Sequence, residues 1–172
     1  TQNRLGDRAR PLVPTISPGL GYMGQLCSLD PHEQMKYQIL EMMMAPKALG
    51  YTVYAGNDFD LGDMKYTAEA NAILARFENI ITDGEVIPDL TVQGTKQSTI
   101  RAKKLGAEIL VLVSDYSTYD PVNTELSFSF PQTKSLVDVE TGQAIKPTAD
   151  GIYRIALKER RLRMLYSGPT RR

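Results

Sequence analysis

The stretch "EILVLV" at residues 108–113 constrains the fold more than any other part of this sequence. Ile109 to Val113 are five consecutive apolar residues with no polar residue alternating among them. Such a run is typical of a strand that is covered on both faces. It is also far shorter than the roughly 20 apolar residues that cross a bilayer. The sequence therefore predicts a central core strand and no transmembrane segment.

Two places in the chain have the pattern helix, Leu-Gly, strand. They are "KALGYTVYA" and "KKLGAEILVLV", and a long stretch with helical periodicity separates their strands, 51–55 and 109–113. Parallel neighbours need a long crossover of this kind, which is right-handed in nearly all sheets. We therefore predict an α/β fold whose mixed sheet has a central parallel βαβ pair with helices packed on it.

Three segments predict those helices. "DPHEQMKYQILEMMM" begins with a possible cap, Asp30, and places Met35, Ile39, Met42 and Met43 on one face, with Pro46 ending or kinking it. "YTAEANAILARFENII" repeats Ala70, Leu74, Phe77 and Ile81 at near-helical spacing. "TKQSTIRAKKL", residues 95–105, predicts a third helix that Gly106 would close in a left-handed conformation.

The chain beyond Pro121 has strand periodicity. "TELSFSF" alternates strictly, which places Leu126, Phe128 and Phe130 on a dry face. "SLVDVETG" and "DGIYRIAL" predict two further strands, so the carboxyl-terminal half is expected to be an antiparallel meander. "KERRLRMLY" is compatible with either a strand or a short helix.

Residues 1–29 contain three prolines and four glycines and show no apolar periodicity, which predicts an extended arm. Residues 30–172 are then one globular α/β domain, a size that one core can stabilise. The 20 basic and 20 acidic side chains of the whole chain cancel, so no overall field favours nucleic acid or an anionic membrane.

Catalytic and metal-binding residues are not indicated by any motif. His32 and Cys27 are the only histidine and the only cysteine, and we predict no catalytic residue, no cofactor and no metal site. Asp58, Asp60 and Asp63, with Glu69 further on, superficially match a calcium loop. The glycine of that loop is out of register, so an acidic loop that caps the next helix is the preferred interpretation.

The polar run "SDYSTYD" at 114–120 follows the predicted core strand. Ligands bind beyond such strand ends in open α/β sheets, but Ser, Asp and Tyr before a proline are also ordinary turn residues. We favour an interface, with a small-ligand or enzymatic site as the alternative. A nucleic-acid contact through the carboxyl-terminal arginines is a second alternative. The interface candidates are Tyr116, Tyr119, Glu125, Ser127, Ser129, Arg160, Arg161 and Arg163.

Two motifs, "LGYTVYAGNDF" and "AKKLGAEILVLVSDYS", resemble small bacterial cell-envelope proteins, often lipoproteins. In that family a "GY" strand is followed by "A-K-K-x-G-A" and a strand that ends in "S-x-Y". The resemblance covers residues 49–119 and departs from the family by an insertion at about 67–95. It implies a non-enzymatic structural subunit in the periplasm or at the envelope, with peripheral envelope association. We expect it to assemble through strand edges and the amino-terminal arm, as a homo-oligomer or with other protein partners.

Overall fold

A computed structural model describes residues 13, 15–16, 32–53, 59–116, 125–130, 135–157 and 161–170. Its elements confirm a mixed α/β fold. In chain order they are β1 (Thr15–Ile16), α1 (Glu33–Met43), β2 (Thr52–Val53), α2 (Leu61–Arg76), α3 (Glu78–Asp83), β3 (Glu85–Val86), β4 (Val92–Gln93), β5 (Ser98–Leu105), β6 (Glu108–Asp115), β7 (Glu125–Ser129), β8 (Leu136–Asp138), β9 (Ala144–Ile145), β10 (Ile152–Ala156) and β11 (Leu162–Ser167).

A six-stranded antiparallel sheet, in the order β3-β5-β6-β11-β8-β9, forms the middle of the molecule. Its strand β6 pairs with β5 on one side and β11 on the other. Leu110 and Leu112 face one core cluster, whereas Ile109, Val111 and Val113 face the other. All five side chains are at most 2% exposed, which confirms a central strand covered on both faces.

The three helices cover one face of this sheet. The predicted core face of α1 is confirmed, because Met35, Ile39 and Met43 are buried in the cluster that contains Leu110 and Leu112. The helix ends at Met43, ahead of Pro46, as a proline requires. The next helical pattern is divided by Phe77 into α2 and α3. That ring is buried against Tyr166, with 5.0 Å between the ring centroids.

A second sheet, in the order β10-β7-β4, covers the opposite face. The alternation predicted for 124–130 is confirmed, since Leu126, Phe128 and Phe130 are at most 7% exposed. Tyr153 of β10 stacks on Phe128 at 5.3 Å between centroids. The molecule therefore has helices, a six-stranded sheet and a three-stranded sheet in successive layers.

The helix predicted at 95–105 is wrong, because most of this segment is strand β5. All eight residues of β5 pair with β6 through a hairpin whose two-residue turn contains Gly106 at φ 59°. A two-residue hairpin favours glycine where φ is positive. The glycine has the expected left-handed conformation, but it turns a hairpin instead of closing a helix. Pairing along the whole strand overrides the local helix propensity.

The predicted parallel partnership of 51–55 with 109–113 is also wrong. A parallel pair exists, but it joins β2 to β1, with Thr15 opposite Thr52 and Ile16 opposite Val53. The predicted helical crossover between these strands ended with 95–105 as its last helix. Since that segment is a strand joined to β6 by a tight hairpin, the pairing there is antiparallel.

The carboxyl-terminal strands are antiparallel as predicted, but apart from β8 and β9 they do not pair in chain order as a meander does. Strands β7 and β10 pair in the three-stranded sheet, whereas β8, β9 and β11 belong to the six-stranded sheet. The segment "KERRLRMLY" contributes most of β11, which decides between the strand and helix alternatives. Each of these two sheets therefore combines strands from before Pro121 with strands from after it.

The segment predicted as an arm contributes β1, and its Ile16 is 1% exposed in the helix-side core. Apart from residues 13 and 15–16, this segment lies outside the described residues. Within the described ranges, each helix is too short or too polar to span a membrane.

Candidate functional site

The predicted strand-end site begins with two buried side chains on opposite faces of β6. Ser114 faces α1, where its hydroxyl donates to Glu41 Oε1 at 2.6 Å and lies 2.7 Å from Thr99 Oγ1. Asp115 faces the other side and accepts from Thr95 Oγ1 at 2.6 Å. Ser114 is fully buried and Asp115 is 1% exposed.

These bonds hold the ends of β5 and β6 to α1 and to the turn that follows β4. Asp115 also accepts a short hydrogen bond from Ser98, which lies directly opposite it in the sheet. Tyr116 is half-buried. Residues 117–120, including Tyr119, lie outside the described residues. In the described part of "SDYSTYD", the hydrogen bonds of Ser114 and Asp115 therefore have a structural role at the end of the strand.

The polar face of β7 forms a shallow surface with its neighbouring strands. Glu125 and Ser129 are exposed, and Ser127 is half-buried. Arg154 Nη1 donates to Glu125 Oε1 at 3.3 Å from strand β10. A small cavity of about 90 Å³ lies on this surface, lined by Thr91, Gln93, Ser127, Phe128, Ser129 and Ile152. The predicted wet side of β7 is thus a polar surface of the fold.

Arg161 and Arg163 do not lie on a surface, which corrects their assignment as interface residues. Their exposed fractions are 1% and 7%. Arg163 Nε donates to Asp138 Oδ2 at 2.6 Å, and its Nη1 donates to Ala156 O at 2.9 Å. Arg163 lies between apolar residues in β11, and Arg161 lies in the turn that precedes the strand. The run of basic residues in the sequence therefore did not indicate exposed side chains. Arg160 lies outside the described residues.

The carboxylate of Asp138 is held as an anion inside the protein. Burial acts to raise the pKa of Asp138, but hydrogen bonds from the Thr141 backbone and hydroxyl and from Arg163 outweigh it and lower the pKa. The backbone N–H of Thr141 lies 2.7 Å from Asp138 Oδ1. Asp138 and Arg163 therefore form a buried ion pair that is hydrogen-bonded within the protein. The guanidinium group of Arg163 does not face solvent.

A second buried cation, Lys36 on α1, lies among three carboxylates. Its Nζ is 2.8 Å from Glu140 Oε1 and 3.3 Å from oxygens of both Glu33 and Glu69. Burial acts to lower the pKa of Lys36, but Glu140, Glu33 and Glu69 together raise it. Glu69 therefore pairs with Lys36, and among the described residues it is not grouped with Asp60 and Asp63.

The third polar cluster joins the start of α1 to the start of α2. His32 Nδ1 lies 3.2 Å from Asp63 Oδ1 and 3.4 Å from Asp60 Oδ1. Asp60 is the N-cap of α2, and its side chain accepts from the backbone N–H groups of Gly62 and Asp63. The capping role preferred for this acidic loop is therefore confirmed for Asp60 and Asp63. Asp58 lies outside the described residues.

Because residue 62 is a glycine, the His32 ring can lie close to the backbone of α2. A Cβ at position 62 would lie 2.6 Å from Cγ of the imidazole, closer than such atoms come in proteins. The His32 ring therefore rests directly on the first turn of α2. Sequence reasoning found no partner for His32, because its partners are about 30 residues away. The capping spacing of Asp60 and Asp63 was visible, but nothing local linked it to the histidine.

Comparison with known proteins gives a fold relationship. No protein-family model matches the chain, and no curated protein matches it. Among solved structures, it is similar to a maltogenic α-amylase from Thermotoga neapolitana, with a TM-score of 0.62, 10% identity, 98% of this chain covered and 44% of the amylase. An Anoxybacillus α-amylase gives a TM-score of 0.60 and 13% identity, covering 82% of this chain and 33% of the amylase.

A similar relationship holds for an endoxylanase of family GH30 from Clostridium papyrosolvens. Its TM-score is 0.54 at 14% identity, with 80% of this chain and 38% of the xylanase covered. The chain thus spans between a third and a half of these solved structures. Its fold is one that occurs within glycoside hydrolases of more than one type.

Proposed function

We propose that the chain is a non-enzymatic assembly module that packs against further polypeptide through its strand edges, and in particular through the parallel pair β1–β2. The module joins a larger assembly, as a homo-oligomer or with other protein partners. Its own internal polar clusters serve to hold its layers together.

The observation that carries this proposal is the short parallel pair itself. Among the described residues, Thr15–Ile16 and Thr52–Val53 pair with each other and with no third strand. Parallel sheets almost always have several strands with both faces covered, and isolated two-stranded ribbons are marginal at best. A pair this small is typical of a sheet that continues beyond the module.

The environment of the pair supports an edge that is available for pairing. Ile16 is buried in the helix-side core, whereas Thr15 and Thr52 are exposed with their hydroxyl oxygens 2.9 Å apart. Seven of the 11 residues of α1 are buried, which indicates that this helix is covered on more than one side. The pair therefore has one buried face and one exposed polar face, and within the described ranges no third strand occupies its edges.

The solved structures support the same proposal. The similar proteins are an α-amylase, a maltogenic α-amylase and an endoxylanase. In each of them, more than half of the chain lies outside the part that matches. We propose that this chain has a supporting role in a carbohydrate-active protein or complex.

The two alternatives have less structural support. A nucleic-acid surface of the carboxyl-terminal arginines would lack Arg161 and Arg163, because the guanidinium groups of both are buried. A ligand site at the strand end needs polar groups that are available, whereas Ser114 and Asp115 are bonded within the fold. We keep the envelope location as a proposal that rests on the sequence resemblance.

The proposal is tested by the mass of the chain in solution. Analytical ultracentrifugation over a range of concentrations is expected to give a mass above the 19.1 kDa of one chain. The double variant Thr15→Lys/Thr52→Lys places two charges on the exposed side of the pair and should return the mass to that of the monomer, because like charges on adjacent strands repel.

Thr82→Lys is the matched control, since Thr82 is an exposed threonine on α3. It should leave the mass unchanged. A wild-type chain that is monomeric at every concentration contradicts self-association. Hydrolysis of starch or xylan by the purified chain contradicts the non-enzymatic assignment.

A further inference from the structure

We propose that His32, Asp60 and Asp63 form a binding site for a divalent first-row transition ion, of which Zn²⁺ is the best fit. The three residues come from the starts of two different helices. Their ligand atoms all lie within 4.8 Å of one another. The site is independent of the proposed assembly role.

The distances between the ligand atoms are compatible with coordination of one ion as well as with direct hydrogen bonding. His32 Nδ1 is 3.2 Å from Asp63 Oδ1, to which it is hydrogen-bonded, and 3.4 Å from Asp60 Oδ1. N–H···O hydrogen bonds span about 2.7–3.2 Å. Around a tetrahedral zinc ion with bonds of about 2.0–2.2 Å, neighbouring ligand atoms lie about 3.3–3.6 Å apart. The two separations from His32 Nδ1 are close to that range, and all three ligand atoms lie within 4.8 Å of one another.

The charge and chemical type of the ligands select the ion. Two carboxylates match a divalent charge, and an imidazole nitrogen favours Zn²⁺ and other late first-row ions over Mg²⁺, Ca²⁺ and Mn²⁺, which suit oxygen ligands better. Three protein ligands leave at least one coordination position for water or a further group.

Helix capping accounts for part of the cluster only. Asp60 Oδ1 accepts from Gly62 N at 2.7 Å and from Asp63 N at 3.2 Å. A carboxylate has about four acceptor positions, so these bonds leave capacity for a metal ion. His32, from another helix, adds an imidazole nitrogen to the two carboxylates and is hydrogen-bonded to Asp63 Oδ1.

The position of the imidazole is fixed by its surroundings. Gly62 leaves no side chain between α2 and the ring, and His32 is about one-quarter exposed. Asp63 is 3% exposed in its side chain, whereas Asp60 is 54% exposed. The site thus has a buried floor and an open side through which an ion can enter.

Isothermal titration calorimetry tests this site. The full chain is first stripped of metal with a chelator, and it is then titrated with ZnCl₂ and, separately, with MnCl₂. We expect one zinc equivalent to bind and to raise the melting temperature, because an ion that binds the folded chain alone stabilises it. His32→Gln and Asp63→Asn should each weaken zinc binding by about tenfold or more. CaCl₂ and MgCl₂ should bind more weakly than zinc.

Two matched controls exclude other zinc sites. Asp83→Asn removes an exposed acid at the end of α3, and Cys27→Ser removes the only thiol. Both should bind zinc as the wild type does. His32→Gln leaves the capping bonds of α2 in place, so its circular dichroism should be unchanged. Absence of stoichiometric zinc binding to the wild type overturns the proposal, as does equal affinity in His32→Gln and the wild type.

Discussion

Lys103 is a buried residue whose charge is compensated by backbone carbonyl groups. It is 2% exposed, and its Nζ donates to the carbonyl oxygens of Met43 and Ile81. Met43 is the last residue of α1, and Ile81 lies near the end of α3. A cation near helix carboxyl termini is favourable, but loss of hydration opposes it. Burial lowers the pKa of Lys103 to about 8.

This pKa predicts that stability rises with pH in a defined window. The ordinary value is 10.5, so between about pH 8 and pH 10.5 the unfolded chain holds a proton that the folded chain has lost. The free energy of unfolding therefore increases with pH in that window, by at most about 3 kcal/mol for a shift of this size. Urea denaturation at pH 7.5, 8.5 and 9.5 measures the slope.

Lys103→Met separates this effect from other titrations. The methionine keeps the apolar packing and removes the titrating group, so the increase in stability with pH should diminish. Lys96→Met is the control, because Lys96 is exposed. An identical pH dependence in wild type and Lys103→Met would show that the folded-state pKa of Lys103 is not lowered.

At the scale of single residues, the sequence predicted burial correctly where apolar residues follow a regular pattern. Ile109, Val111 and Phe128 were correctly placed in the core from apolar runs and alternation. Buried charges were not predictable, because Lys103 and Arg163 are buried only through partners that are distant in sequence. The same limit applies to the candidate site, where His32 and Asp63 are 31 residues apart.

The hairpin β5–β6 shows how one element was assigned incorrectly from a correct local signal. "TKQSTIRAKKL" has residues with good helix propensity, and Gly106 has the left-handed backbone that was expected. Helix caps and two-residue hairpins both favour glycine with positive φ. The pattern of the segment did not decide between them. The segment forms strand β5 because β6 pairs with it along its entire length.

Gly106 is therefore predicted to be required for the turn. Its φ of 59° is costly for residues with a side chain, so Gly106→Ala should lower the free energy of unfolding by about 1 kcal/mol, although a Cβ there would meet no atom within 4 Å. Gly50→Ala is the matched control, since a Cβ there also meets open space and its φ is not positive. Urea unfolding of both variants measures the difference. Equal stability of the two variants contradicts the role of φ at this turn.

The layers of the whole molecule meet at β6, which has an apolar cluster on each side. The helix-side cluster includes Leu110 and Leu112, and the cluster between the two sheets includes Val111 and Val113. The fold class and this central strand were predictable, because both follow from residues that are neighbours in sequence. The strand order was not, since β11 reaches β6 from about 50 residues away in the chain. Choosing that partner depends on the packing of all layers together.

Val111→Asp should consequently abolish the fold as a whole. Val111 is 0% exposed and pairs with Ala102 on one side and Leu165 on the other, so a carboxylate there would be buried between the two sheets. An unpaired buried charge is among the changes that cost more than about 4 kcal/mol, a large part of the stability of a domain. Val137→Asp in β8 is the control, because Val137 is 38% exposed and should cost about 1 kcal/mol or less. Thermal unfolding followed by circular dichroism compares the two, and a cooperative Val111→Asp variant that melts near the wild type would contradict a core on both faces of β6.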